Sequence, residues 1–297
     1  EMGKVCYGGL SIATLADLET ALKGVDLENT PITMQVGASA VSLAAFLIAL
    51  FRKQGKSTEH LHGGIETDPL GSLAQSGTMP VSLARAYESM AELTRWGKVN
   101  APRLKTIGVN VAPYHNAGAN AVQEIAFALA TGVSYIREMQ ERDLDIETIC
   151  NRIHFTFALG GNFFMELAKL RAARLLWAQV VEAFGGSADA QKMAIHARTA
   201  IYNKTVNDPY VNMLRTTTEA LSGAIGGVDS LSVAPFDDII RQPDEFSRRI
   251  ARNQQLILQR EVALTRLIDP AGGSWYVEYL TDQLAQRAWQ VFQEIEA

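Results

Sequence analysis

Short β-prone runs alternate with helical stretches along most of this chain, and that alternation confines it to folds in which helices cover a mostly parallel sheet. The runs are residues 4–7, 32–36, 59–65, 106–112, 153–159, 193–199 and 230–234. Parallel neighbours require a crossover of a dozen or more residues, and the intervening stretches supply it. Periodicity and punctuation predict helices over 15–23, 39–53, 80–95, 123–130, 134–142 and 210–224, the last opened by Asp208-Pro209 with Asp as N-cap and Pro in the first turn. A further helix runs from Asn162 to Trp177 after the turn Gly160-Gly161, its apolar faces interrupted by Arg171 and Arg174. Seven runs are one short of the eight strands of a closed (β/α) barrel. Beyond residue 240 the pattern becomes purely helical, over 244–264 and 276–296 with turn residues at 268–274 between. The expected organisation is a barrel over 1–240 and a helical extension of the same domain over 241–297.

Composition narrows the class. With 297 residues, 47% of them hydrophobic and 20% charged, the chain can bury a large core. A net charge of -5 without any basic run longer than two residues argues against a nucleic-acid partner. Two cysteines, Cys6 and Cys150, suit a reducing compartment and exclude a disulfide framework, so a cytoplasmic location is expected. No 18-residue apolar run and no basic-plus-apolar leader points to a membrane.

Side chains on a strand alternate between faces. One parity carries Thr33 and Gln35, His60 and His62, Gly108 and Asn110, His154 and Thr156, His196 and Arg198, Ser230 and Ser232. The other carries Ile32, Met34, Ile107, Val109, Ile153, Phe155, Phe157, Ile195 and Leu231. Ordinary barrels fill their centre with branched apolar residues. Here the axis is expected to be polar and roomy, either a closed hydrogen-bonded network or a path for a polar ligand.

Two chemistries compete for these residues. His60-Leu61-His62 would set two imidazoles on one strand face, as a metal-dependent hydrolase does, with His196, Glu66 and Asp68 as further ligands; satisfied interior histidines are the alternative. Arg171 or Arg174 could close over an anion, or could pair with acids of a neighbouring helix. The glycine pairs at 63–64, 160–161, 226–227 and 272–273 read as turns, and no P-loop, dinucleotide fingerprint or nucleophile elbow is present.

From Phe163 to Trp177, at 246–256, and in Ile268-Asp269-Pro270-Ala271-Gly272-Gly273-Ser274 and Tyr276-Val277-Glu278, the chain resembles the adenosylcobalamin-dependent acyl-CoA mutases, and methylmalonyl-CoA mutase in particular. The resemblance covers nearly the whole chain. It implies a TIM (β/α)8-type barrel whose first strand lies upstream of Glu1, coenzyme A along a polar axis, and cobalamin on a separate domain, serving the radical interconversion of methylmalonyl-CoA and succinyl-CoA. The residues it marks as candidate substrate-binding or CoA-lining positions, in use or vestigial, are Gln35, Asn110, His115, Arg174, His196 and Arg198.

This sequence departs from the family pattern at telling positions. Anchored on Ala117-Gly118, the catalytic His position falls on Pro113 and His115 stands where Gln is expected. Glu66-Thr67-Asp68 replaces Gln-Asn-Asp, Ser76 takes the place of the arginine that would pair the substrate carboxylate, and Arg198 replaces a Gln. Together with Asn203-Lys204-Thr205 and the segment at 208–220, these departures resemble the small, non-catalytic subunit. The expectation is a chain with no catalytic or metal-ligating residues of its own, paired with a large catalytic subunit, with adenosylcobalamin bound in the complex by residues not identified in this chain. A catalytically competent acyl-CoA mutase of altered specificity and a metal-dependent barrel hydrolase are the alternatives.

Overall fold

The computed structural model describes residues 9–297. Its elements in chain order are α1 (Leu15–Ala21), β1 (Ile32–Gln35), α2 (Ala40–Lys53), β2 (His62–Thr67), α3 (Pro69–Ser76), α4 (Leu83–Asn100), β3 (Arg103–Asn110), α5 (Ala112–Asn116), α6 (Ala121–Gln140), α7 (Ile146–Cys150), β4 (Ile153–Leu159), α8 (Phe163–Ala183), β5 (Ile195–Thr199), α9 (Val211–Ile225), β6 (Ser230–Ser232), α10 (Glu245–Arg260) and α11 (Trp275–Glu296). The strands form one sheet in the order β1-β2-β3-β4-β5-β6, and the pairs β1–β2, β2–β3, β4–β5 and β5–β6 are parallel. Chain-order neighbours joined by helices are the arrangement of a (β/α) barrel. Among the described residues the sheet is an open half-barrel. The expected run at 4–7 lies outside the described residues.

The described chain divides into two compact units, one holding residues up to 108 together with 137–154, the other 109–136 together with 155–297. In the first, Ile32 and Ile65 of neighbouring strands pack with Leu47, Leu50 and Phe51 of α2, and Leu18, Leu93 and Leu104 complete the core. One buried cation inside this unit is satisfied by backbone alone. Arg152, 5% exposed, donates from Nη1 to the carbonyls of Ala101 and Leu104, each at 2.7 Å, and from Nη2 to Gly97 at 3.2 Å. In the second unit, Phe155 and Trp177 meet edge-on with ring centroids 4.8 Å apart. Gln254 of α10 ties itself to α9, donating from Nε2 to Met213 O at 2.7 Å and Thr217 Oγ1 at 2.8 Å.

Several sequence expectations are corrected. The helices predicted over 123–130 and 134–142 are one helix, α6, running through Gly132. Gly132 does not break the helix; a Cβ there would stand 2.6 Å from Trp177 Cζ3, so the residue is small because an indole lies on it. Asp208-Pro209 does not open α9: Asp208 has φ +50°, and the N-cap is Tyr210. The same dipeptide chemistry works one unit earlier, where Asp68 Oδ1 accepts from Gly71 N at 3.0 Å and Pro69 begins α3, a helix the periodicity does not announce. The run at 59–65 is displaced. Thr58–His60 form a 3-10 turn, and β2 starts at His62.

Candidate functional site

The burial follows the parity read from the strands: Ile32, Ile107, Val109, Ile153, Phe155, Phe157 and Ile195 are buried, Met34 and Leu231 are half-buried, and the polar set has mixed exposure. In the first unit that face is centred on Glu66, 4% exposed, whose Oε1 accepts from His154 Nδ1 at 2.5 Å. Two glycines make room for the carboxylate. A Cβ on Gly64 would lie 2.9 Å from Glu66 Oε1, and one on Gly108 would lie 2.9 Å from Glu66 Cβ. Gln35 ends β1 exposed, in register with Glu66. The paired-imidazole reading fails here, because His60 sits in the 3-10 turn rather than on the strand, and its carbonyl faces His62 Nδ1 at 2.9 Å. Among the described residues no group of three or more His, Cys, Asp or Glu side chains is arranged to hold a metal ion.

In the second unit Asn110 ends β3, its Oδ1 accepting from Ala112 N at 3.1 Å and starting α5. His115, near the end of that short helix, is 9% exposed and its Nδ1 lies 2.7 Å from Glu124 Oε1 of α6. Glu124 is itself held by Lys169 Nζ at 2.9 Å, and Lys169, wholly buried, also reaches Glu166 at 2.5 Å and the carbonyl of Ala158 at 2.8 Å. Burial opposes the Lys169 charge, but the two carboxylates outweigh it and raise the ammonium above its ordinary range. The turn Gly160-Gly161 lets this cluster close: a Cβ on Gly160 would stand 3.0 Å from His115 Cε1 and 3.2 Å from Glu166 Oε1. A second buried pair follows, Lys204 with Glu219 at 2.7 Å, Asn203 donating to the same carboxylate at 2.6 Å. Burial, reinforced by Glu166, pushes the Glu219 carboxyl upward.

On β5, His196 Nδ1 lies 2.8 Å from Ser230 Oγ of β6, and Arg198 stands two residues on, half-buried, in register with Ala158 and Ser232. Arg198 forms no ion pair among the described residues. His196 and Arg198 therefore share the polar strand face, as their parity requires. Arg174 does not join them. Its Nη1 and Nη2 donate to the carbonyls of Gly226 and Gly227 at 3.0 and 2.5 Å, closing the C-terminus of α9, with Asp229 3.6 Å away. Helices of a βα unit run antiparallel to their strands, so this is the end remote from the strands' carboxyl ends. Burial loosens the hold of the Arg174 guanidinium on its proton, against the opposing pull of Asp229. Arg171 spans Asp269 and Glu278, at 2.8 Å from the latter, and fastens α8 to the turn before α11 and to α11 itself. Both arginines are fasteners between elements.

The residues that sequence reasoning overlooked are Glu124, Glu166 and Lys169. A signal existed: Glu166 and Lys169 fall at i, i+3 on the buried side of α8, where two charged side chains must be each other's partners. It was obscured by the arginines on the neighbouring stripes.

Comparison with known proteins gives a consistent answer. The family model described as methylmalonyl-CoA mutase matches residues 1–297. The methylmalonyl-CoA mutase small subunit of Streptomyces virginiae is 45% identical over 94% of this chain and 44% of its own length. The small subunit of Porphyromonas gingivalis is 38% identical over 97% of this chain and 46% of its own length. The Streptomyces virginiae large subunit is 36% identical over 99% of this chain and 40% of its own length. The chain thus spans less than half the length of these relatives.

Proposed function

This chain belongs to the methylmalonyl-CoA mutase family, and we propose from that premise that it is the barrel portion of a mutase small subunit, supporting the interconversion of methylmalonyl-CoA and succinyl-CoA by a large catalytic subunit with which it forms a heterodimer. The observation that carries the non-catalytic reading is the Glu66–His154 pair on the polar strand face, seated over Gly64 and Gly108. A buried carboxylate on that face repels the anionic thioester that a mutase must seat there. Ser76 adds to this, since its hydroxyl is committed to the carbonyls of Ser72 and Thr78 at 2.7 and 2.6 Å and offers no cation to a substrate carboxylate. Pro113, in the first turn of α5, has no side chain that could move a proton.

Adenosylcobalamin, which supplies the radical chemistry of the family when bound, is a cofactor of the complex in this reading. We assign none of its contacts to this chain: His115 and His154 are each less than a tenth exposed and are held by carboxylates, so neither imidazole is open to a ligand. The role left to these residues is to keep a rigid, closed scaffold beside the catalytic subunit. A cytoplasmic setting belongs to the same reading; among the described residues no helix is long and apolar enough to cross a membrane.

A second reading, a chain that still accepts an acyl-CoA with altered specificity, draws on Arg198, the half-buried guanidinium with no acidic partner among the described residues. One reconstitution separates the two. The full subunit carrying this chain, supplied with adenosylcobalamin and methylmalonyl-CoA, is expected to form no succinyl-CoA alone and to do so with the large subunit. Turnover by the small subunit alone refutes the first reading.

A further inference from the structure

A cavity of about 660 Å³ lies in the second unit where the C-terminus of α9 meets the middle of α8, the turn at 264–270 and the first two turns of α11. Its apolar wall is Leu175, Ile225, Leu264 and Leu267, of which Leu175 is 48% and Leu267 68% exposed. Two residues that line it hold unspent donors. Arg171 gives Nη1 to Asp269 and Nη2 to Glu278, yet its Nε is buried without a partner. Thr281, 8% exposed, has no partner for its buried hydroxyl. Buried polar groups are ordinarily hydrogen-bonded, so two such atoms on the walls of one cavity call for an occupant.

Charge decides what kind. The lining guanidiniums of Arg171 and Arg174 balance the lining carboxylates of Asp269 and Glu278, and Asp229 stands a further 3.6 Å from Arg174. An anion would enter a site with no net positive charge and face its carboxylates. A cation would face Arg171 Nε, which only donates. The group that fits is neutral and bears an acceptor. Glu278 supplies the complementary half: its Oε1 takes Arg171 Nη2 at 2.8 Å and Gly273 N at 3.0 Å, and Oε2 is left to accept.

We propose that this cavity binds a small neutral carboxamide. Its carbonyl oxygen accepts from the Thr281 hydroxyl and Arg171 Nε, its N–H donates to Glu278, and its apolar body covers Leu175, Leu264 and Leu267. The free protein carries the two donors unsatisfied, and the ligand's carbonyl removes that penalty as it enters. No covalent bond forms or breaks and no proton moves, because the charges of the site are already paired. Binding therefore exchanges no proton with the buffer.

Isothermal titration calorimetry of the full subunit with hexanamide, in two buffers of different ionisation enthalpy, tests this. Saturable binding with the same enthalpy in both buffers is expected, and hexanoate and hexylammonium, bodies of the same length that carry a charge, should each bind about tenfold or more weakly. Thr281→Val keeps the shape of the side chain and removes only the hydroxyl. It should weaken hexanamide by a similar factor and leave the unfolding temperature of the free subunit unchanged or higher, since that hydroxyl has no partner to lose. Absence of saturable hexanamide binding, equal binding of hexanoate or hexylammonium, or unchanged hexanamide affinity in Thr281→Val each overturns the proposal. The comparison of the three ligands needs no variant, so it holds even if Thr281→Val folds poorly. None of these outcomes depends on mutase turnover.

Discussion

Lys169→Met is the most exacting perturbation of this molecule, because Lys169 is wholly buried and stands between two buried carboxylates. Methionine nearly matches the stem in volume, so the change is electrostatic rather than a cavity. Its removal leaves Glu124, 1% exposed, and Glu166, 5% exposed, with one proton donor between them, His115. Breaking a buried ion pair on one side typically destabilises by about 3–5 kcal/mol, and two carboxylates sharing one lost ammonium place this case at the upper end. Urea denaturation at pH 7 should show that loss directly. Replacing Glu166 by Gln in the Lys169→Met background removes one orphaned charge and should restore about 2 kcal/mol or more, a coupling that only contacting residues show.

The pH dependence has a definite sign. The Lys169 proton is held more tightly in the folded protein than in the unfolded one: burial alone would loosen it, but Glu166 and Glu124 outweigh burial. A group with a raised folded pKa contributes stability that is fully present below the unfolded lysine value near 10.4 and is lost as pH climbs through the higher folded value. In the wild type this contribution is therefore flat across the neutral range. In Lys169→Met the dependence inverts: the orphaned carboxylates gain from protonation, so the variant should recover relative stability as pH falls from 7 toward 5. A loss smaller than about 1 kcal/mol, or no rescue by Glu166→Gln, would refute the view that this cluster is closed by mutual compensation.

Gly132→Ala inserts a Cβ 2.6 Å from Trp177 Cζ3 inside a tight aromatic contact. Although alanine favours helix over glycine, overpacking should dominate at about 1–3 kcal/mol, with a change in tryptophan fluorescence that an exposed Gly→Ala change would not produce. Cys150 has its thiol pushed up to about 12, chiefly by burial and secondarily by Glu147. Thiolate is then scarce at pH 8, so alkylation of Cys150, mapped by mass spectrometry, should be slow in the native protein and fast in urea.

The sheet was legible because strand periodicity and helix punctuation act locally: β4 and β5 fall within two residues of their expected positions, and the polar face follows from parity alone. Where reading failed, the deciding contact was mostly distant in sequence. Gly132 has the local signature of a helix terminator, and only the indole 45 positions later explains a glycine inside α6. His60 and His62 have the spacing of a strand pair, yet Thr58–His60 close a 3-10 turn capped by Ser57, and the strand starts at His62. Arg174 is like Gly132. Its stripe on α8 could be read from periodicity, but the carbonyls it caps belong to the end of α9, 52 and 53 positions away.

The chemistry along α8 separates two uses of charge on one helix. Near its N-terminus, Glu166 and Lys169 face inward and are compensated without water, a costly arrangement whose net contribution to stability over an apolar core is small. Such a cluster is better suited to specifying one arrangement, since each member tolerates only its own partners. One turn on, Arg171 and Arg174 face outward to Asp269, Glu278 and the end of α9, where solvent shares the charge and each pair adds little individually. The inner cluster fixes how α5, α6 and α8 meet at the carboxyl end of β4, and the outer pairs fix α9 and α11 against the same helix.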